Sequence, residues 1–186
     1  MNAPVNSPEH LSSPTLEFSV VPLLHLAPDQ VQYYFQRLYT NDTLKYRFSD
    51  IIEPTWSDAL EVIQRMGQQM YMVLDNETND ILGEFMFENF TGKACQSHFS
   101  TSPDTDTRTR VKIGRFAAEH ALTRKRPETG EYFLDALYGL TPLSNRAATI
   151  FALKIGYKKQ GVLPSGMMVN GKPEDCMISV CTRESF

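Results

Sequence analysis

YFLDALYGLTPLSNRAATIFALKIGY, residues 132–157, is the stretch whose reading decides the fold. It opens with an apolar run, Tyr132 to Leu140, too short for a helix of ordinary length and dense in aromatic and aliphatic side chains, which predicts a buried strand. Thr141-Pro142 ends that strand, because proline has no N–H for a sheet ladder. Ser144 or Asn145 then offers a side-chain oxygen to cap a helix. Ala148, Phe151, Ala152 and Ile155 fall on one face of that helix. Gly156 stands where the helix must stop, and Tyr157 begins the next extended run. The unit is strand, capped helix, Gly-aromatic, strand.

Working outward, residues 1–14 hold prolines, serines and asparagines with no apolar period, which predicts a flexible lead before a single domain spanning 15–186. Leu16 to Leu24 predicts a first strand, and Pro28-Asp29 opens a helix with Val31, Tyr34, Phe35 and Leu38 on one face. Thr55 to Gln69 predicts a second helix, with Trp56, Leu60 and Ile63 on its apolar side. Met70–Leu74 and Ile81–Phe90 read as strands joined by the polar turn 75–80, and Ala94–Thr101 as a strand after Thr91-Gly92-Lys93. In the Ile81–Phe90 strand, Glu84, Met86 and Glu88 share a face. Residues 102–109 read as loop and Arg110–Lys125 as a helix with Ile113, Phe116, Ala117 and Ala121 inward. Past Lys158-Lys159 a strand ends at Val162-Leu163-Pro164, and Ser165-Gly166 turns. Asn170-Gly171 signals a hairpin into a last strand, Cys176–Thr182, apolar on both faces and so expected to be buried on each.

The spacing Asn145, Ala148, Gly156, Tyr157 resembles the N-x-x-A … L-G-F segment of the GNAT superfamily of N-acyltransferases. The ending, Asn170-Gly171-Lys172, Asp175 and a strand closing on Arg183-Glu184, resembles it too. Such small acyltransferases occur in bacteria and their phages. The expected fold is a single α/β domain: a mixed, mostly antiparallel sheet of about seven strands flanked by about four helices, with splayed central strands. The resemblance implies acetyl-CoA as co-substrate, an amine acceptor and transfer of the acetyl group to nitrogen, with no metal.

Acyl transfer from a thioester to an amine requires a deprotonated amine, a donor to the tetrahedral oxyanion and a way to discharge the thiolate. For the first, Glu84 and His98 are the candidate bases: apolar neighbours would give a cleft-facing Glu84 the proton affinity a base needs, and imidazoles ordinarily titrate near neutral pH. The resemblance assigns the pantetheine arm and oxyanion to the backbone of Phe99, Ser100 and Thr101. Its Q/R-x-x-G-x-G/A phosphate loop aligns with Thr109 to Gly114, where only the last glycine remains and Lys112 replaces the middle one. Arg110, Lys112, Ile113, Gly114 and Arg115 would surround the diphosphate at a helix start. Asn145 either bonds coenzyme A or merely caps its helix. The family's thiolate-side tyrosine falls at Ala152, and Tyr138 is a substitute acid that would otherwise pack.

Composition bounds the remainder. The 186 residues are 41% hydrophobic with 18 Lys+Arg against 22 Asp+Glu, a formal charge of −4 that gives no basic footprint for nucleic acid. No apolar run reaches the ~20 residues of a membrane span, and no signal peptide is read at the N-terminus, so the expected location is the cytoplasm, or a virion for a phage product. Cys95, Cys176 and Cys181 show no C-x-x-C and read as reduced packing residues. The rival reading is a domain of this fold that has lost its chemistry and serves as a structural or interaction partner, for instance in a phage particle. A gap between the fourth and fifth strands lined by free amides favours the enzyme. One plugged by Phe99 or Tyr138 favours the rival. Homodimerisation is open.

Overall fold

The computed structural model describes residues 17–39 and 69–186. The lead at 1–14, residues 43–54 and the helix expected over Thr55–Gln69 lie outside these residues, apart from Gln69. Seven strands form one sheet in the order β1-β2-β3-β4-β5-β7-β6: β1 Phe18–Pro22, β2 Met70–Asp75, β3 Ile81–Thr91, β4 Ala94–Thr101, β5 Ala136–Pro142, β6 Lys158–Val169 and β7 Lys172–Thr182. Every neighbouring pair is antiparallel except β4 and β5. Three helices are described: α1 Pro28–Leu38, α2 Thr107–Thr123 and α3 Arg146–Lys154.

Strand alternation sorts the side chains. On one face Met70, Met72 and Met86 pack under Tyr34, Phe35 and Leu38 of α1. Pro28 at the first helical position and Gln30 Oε1 accepting from the Ala27 amide at 3.0 Å start that helix. Phe35 and Leu38 are fully buried, each contributing ~1.5–3 kcal/mol by leaving water. On the other face Val73, Phe85, Cys95 and Leu137 meet Ile113, Ala117 and Leu122 of α2.

Three boundaries and one burial pattern differ from expectation. α2 begins at Thr107, three residues early, because Asp106 caps it: its carboxylate accepts from the Arg108 and Thr109 amides. β5 begins only at Ala136. The aromatic residues before it cover arginines instead: Arg183 Cζ sits 4.0 Å above the Tyr132 ring, and Arg124 and Arg126 flank Phe133. The proposed turn at Ser165-Gly166 is an irregularity within a continuous β6, where the register shifts between Leu163 and Met167. There Ser165 takes φ +50° while its amide donates to Asp175 Oδ1 at 2.9 Å. A Cβ on Gly166 would lie 2.5 Å from Cys176 Sγ, so the chain passes only as glycine. Finally, β7 is paired on both edges, but Ile178 and Val180 are only half-buried, so its two faces are not equally enclosed.

Candidate active site

β4 and β5 pair only at Ala94↔Ala136, Cys95↔Leu137 and Gln96↔Tyr138. Beyond that point both strands continue, β4 to Thr101 and β5 to Pro142, without pairing to each other. The sheet is therefore open at its centre. The apex is held by side chains: Ser97 Oγ donates to the Tyr138 carbonyl at 3.3 Å and lies 2.6 Å from the Tyr157 hydroxyl. Burial pushes the Tyr157 phenol far above its usual range, with the Ser97 hydrogen bond working against the shift. Tyr157 is thus a buried hydrogen-bonding group at the apex.

The walls of the opening are partly aromatic. Phe99 makes edge contacts with Phe151 of α3, centroids 6.1 Å apart, and with Tyr157 at 6.3 Å. Its ring fills the helix-side space near the apex, while Ser100 and Thr101 stay half-buried at the wider end. Tyr138 turns to the opposite face and donates to the Asn89 carbonyl at 3.3 Å, so it does not plug the gap. Ala152, at the family's tyrosine position, packs half-buried against the α2-side core.

The face of β3 and β4 turned toward α1 gathers the polar groups. Glu84 pairs across the strands with Ser100 and Met86 with His98, which places Glu84, Glu88, His98 and Ser100 on one surface. Glu84 is 1% exposed, and its Oε1 accepts from the Tyr39 hydroxyl at 2.5 Å. Tyr39 Oη also lies 2.9 Å from Ser100 Oγ. A phenol has one proton, so with that proton given to Glu84 the Ser100 hydroxyl is the donor in the second contact. His98 Nε2 stands 2.5 Å from Glu88 Oε1, in side chains 23% and 18% exposed, though the contact lacks hydrogen-bond alignment. The His98 and Glu88 side chains are thus partly exposed, although His98 Nε2 itself is buried, and Glu84 lies beneath Tyr39.

The cationic residues take unexpected places. Arg110 lies at the end of the first turn of α2 and reaches backward: Nε donates to the Thr105 carbonyl at 2.6 Å, and Nη2 to the carbonyls of Ser102 and Pro103 at 3.1 and 2.7 Å. It pins the 102–105 loop. Lys112 is exposed and pairs with Glu17 at 3.0 Å. Arg115 is exposed one turn further along, while Ile113 and Gly114 are buried. Gly114 admits α3: a Cβ there would be 2.7 Å from Phe151 Cζ and 2.8 Å from Ile155 Cγ2. Asn145 caps α3, its Oδ1 accepting from the Ala148 amide at 3.1 Å. Sequence reading gave no role to Tyr39, Ser97 or Asp106. Of these only Asp106 carried a local signal, an aspartate just ahead of a helical period.

Past Gln96 and Tyr138 the facing edges of β4 and β5 are not paired to each other, which is the kind of main chain that a thin pantetheine arm would pair with. A diphosphate fits the α2 start less well, because the Asp106 carboxylate already accepts from two first-turn amides and would repel it. Among the described residues no group of three or more His, Cys, Asp or Glu is arranged to hold a metal ion. No described helix is long and apolar enough to cross a membrane.

No protein-family model matches the sequence, and no curated protein matches it. Solved structures do. A GNAT-family acetyltransferase from Bacillus anthracis superimposes with a TM-score of 0.72 at 13% identity, over 91% of this chain and 96% of that one. Spermidine N-acetyltransferase from Vibrio cholerae, in complex with CoA and spermine, gives 0.68 at 12% identity over 91% and 97%. Ribosomal-protein-S5-alanine acetyltransferase from Vibrio fischeri gives 0.59 at 13% over 91% and 94%. The chain has the fold of the GNAT acetyltransferases.

Proposed function

We propose that this protein is a divergent GNAT member that transfers an acetyl group from acetyl-CoA to an amine. One observation carries the reading: β4 and β5 part after Gln96 and Tyr138, leaving an opening at the sheet centre where the thioester would lie across from the polar face. The structural neighbour solved with CoA and spermine supports the same choice of donor and acceptor class.

In this reading the pantetheine arm runs along Phe99, Ser100 and Thr101, whose main chain offers the hydrogen bonds and the oxyanion donor. His98, with Glu88 beside it, takes the proton from the amine as it attacks the thioester carbonyl. Glu84 holds Tyr39 against Ser100 and so shapes the acceptor side, instead of contacting the amine. Arg115, together with Lys112 if it leaves Glu17, draws in the phosphates. Arg110 keeps the 102–105 loop in place for them, Ile113 and Gly114 set the closeness of α2 and α3, and Asn145 fixes the start of α3.

A second reading is favoured by the Asp106 cap, which occupies the amides that a diphosphate would use. There the domain keeps the architecture and acts by binding a partner. Titration calorimetry with CoA and with acetyl-CoA separates the two, followed by mass spectrometry of a panel of amines incubated with acetyl-CoA. Saturable CoA binding and an acetylated amine support the enzyme. Absence of CoA binding at millimolar concentration overturns it and leaves the partner-binding reading.

A further inference from the structure

A second cavity lies on the opposite side of the sheet from Glu84 and His98. Tyr71 of β2, Phe85 and Phe87 of β3, Phe90 beyond them and Phe133 of the loop before β5 give it aromatic walls around a space of about 230 Å³. The C-terminal part of α2 closes it, with Ala121 as a small side chain facing the space. Tyr71 and Phe85 stack on each other, their centroids 5.0 Å apart and their planes 18° from parallel. Phe90 is 52% exposed at the mouth. Phe85 and Phe87 are buried, so most of this aromatic lining is turned inward around the space.

Among the described residues the charge at this cavity has one sign. Arg124 and Arg126 line it, their guanidinium carbons 5.4 and 4.9 Å from the Phe133 centroid, and among the described residues no acidic one does. In a chain of formal charge −4 this is a local reversal. Each guanidinium rests on an aromatic face, which orients it while leaving its N–H groups for a ligand. A cavity of about 150 Å³ lined by apolar groups takes up benzene. One half again as large accommodates two fused rings, and a planar carboxylate at its rim matches the fork of an arginine.

We propose that this cavity is a binding site for a small planar aromatic carboxylate of about two rings, separate from the opening between β4 and β5. The rings lie between the Tyr71–Phe85 wall and Phe133, and the carboxylate accepts from Arg124 and Arg126 at the mouth.

The probe is 2-naphthoate, with 2-naphthalenemethanol as its uncharged counterpart, titrated into the full chain by calorimetry. The expected result is saturable, sub-millimolar binding of the carboxylate and about tenfold weaker binding of the alcohol, the difference that charge-assisted hydrogen bonds supply. Arg124→Gln with Arg126→Gln, both at exposed positions, should bring the carboxylate down to the alcohol's affinity. Ala121→Leu, which fills the space from α2, should weaken both probes. The proposal is overturned if the carboxylate does not saturate, if carboxylate and alcohol bind alike with the arginine variants unchanged, or if a folded Ala121→Leu binds as the parent does.

Discussion

The Tyr39 hydroxyl donates to Glu84 Oε1 at 2.5 Å, joining the end of α1 to the middle of β3 across 45 residues of chain. Both side chains are buried, Tyr39 at 3% and Glu84 at 1% exposure. Tyr39→Phe takes away a donor from a buried carboxylate, so it should cost about 1–3 kcal/mol in urea unfolding. Glu84→Gln keeps an acceptor but loses the charge. The two changes share one hydrogen bond, so the double variant should cost less than the two single costs added. Full additivity would mean that the contact carries no coupling.

Gly114 and Phe151 set how closely α2 and α3 approach. Gly114→Ala should destabilise by about 1–3 kcal/mol, since the new methyl would enter the Phe151 ring and Ile155. Phe151→Leu in the same chain removes the ring atom at 2.7 Å and should recover part of that loss. Thermal unfolding of the single and double variants decides the matter; a stable Gly114→Ala would mean that the helices separate easily.

Ser97 closes the apex of the parted strands. Ser97→Ala leaves the Tyr157 hydroxyl, in a residue 4% exposed, without that partner, at a cost of about 1–3 kcal/mol. Adding Tyr157→Phe removes the stranded group, so the double variant should be more stable than Ser97→Ala alone. Equal stability of the two would show that water satisfies the phenol.

Acid should weaken the fold through capped carboxylates. The amides of Thr78 and Glu77 hold Asp75 below its usual 3.8, while Asp106 is held low by Thr109 and Asp135 by Arg183. A carboxyl whose folded pKa is depressed adds stability above its unfolded pKa and loses it as pH falls through the folded one. Asp75→Asn cannot ionise. It should therefore be less stable than the parent at neutral pH, with the gap narrowing below about pH 3.8. Melting curves that stay parallel down to the lowest pH measured would contradict this.

Much of the architecture was legible because sheet alternation has a period of two and is a local property. Glu84, Met86 and Glu88 fall on one face as the pattern requires, and the Asn145 to Tyr157 unit folds as read. The opening between β4 and β5 was expected from the family resemblance and not from any residue pattern. What stayed hidden depends on reach. Arg110 is an ordinary basic residue in sequence, yet its guanidinium folds back onto three carbonyls that no spacing rule connects to it. Tyr132 and Phe133 look like strand in an apolar run, but their rings lie under arginines distant in the chain or at the end of α2. Tyr39 meets Glu84 only through the packing of α1 on the sheet, and Ser97 meets Tyr157 only because the strands part.

The irregularity at Ser165-Gly166 has a bearing on behaviour at high concentration. β6 is the outer strand on its side of the sheet, and its exposed rim would serve as a template for a strand from another molecule. The left-handed residue at Ser165 interrupts the even spacing of that rim, and Lys158 and Lys159 put like charges at its other end. A flat, uninterrupted ribbon is what stacking into fibrils needs. By bending its margin here, the molecule denies a neighbour the continuous ladder on which such growth would begin.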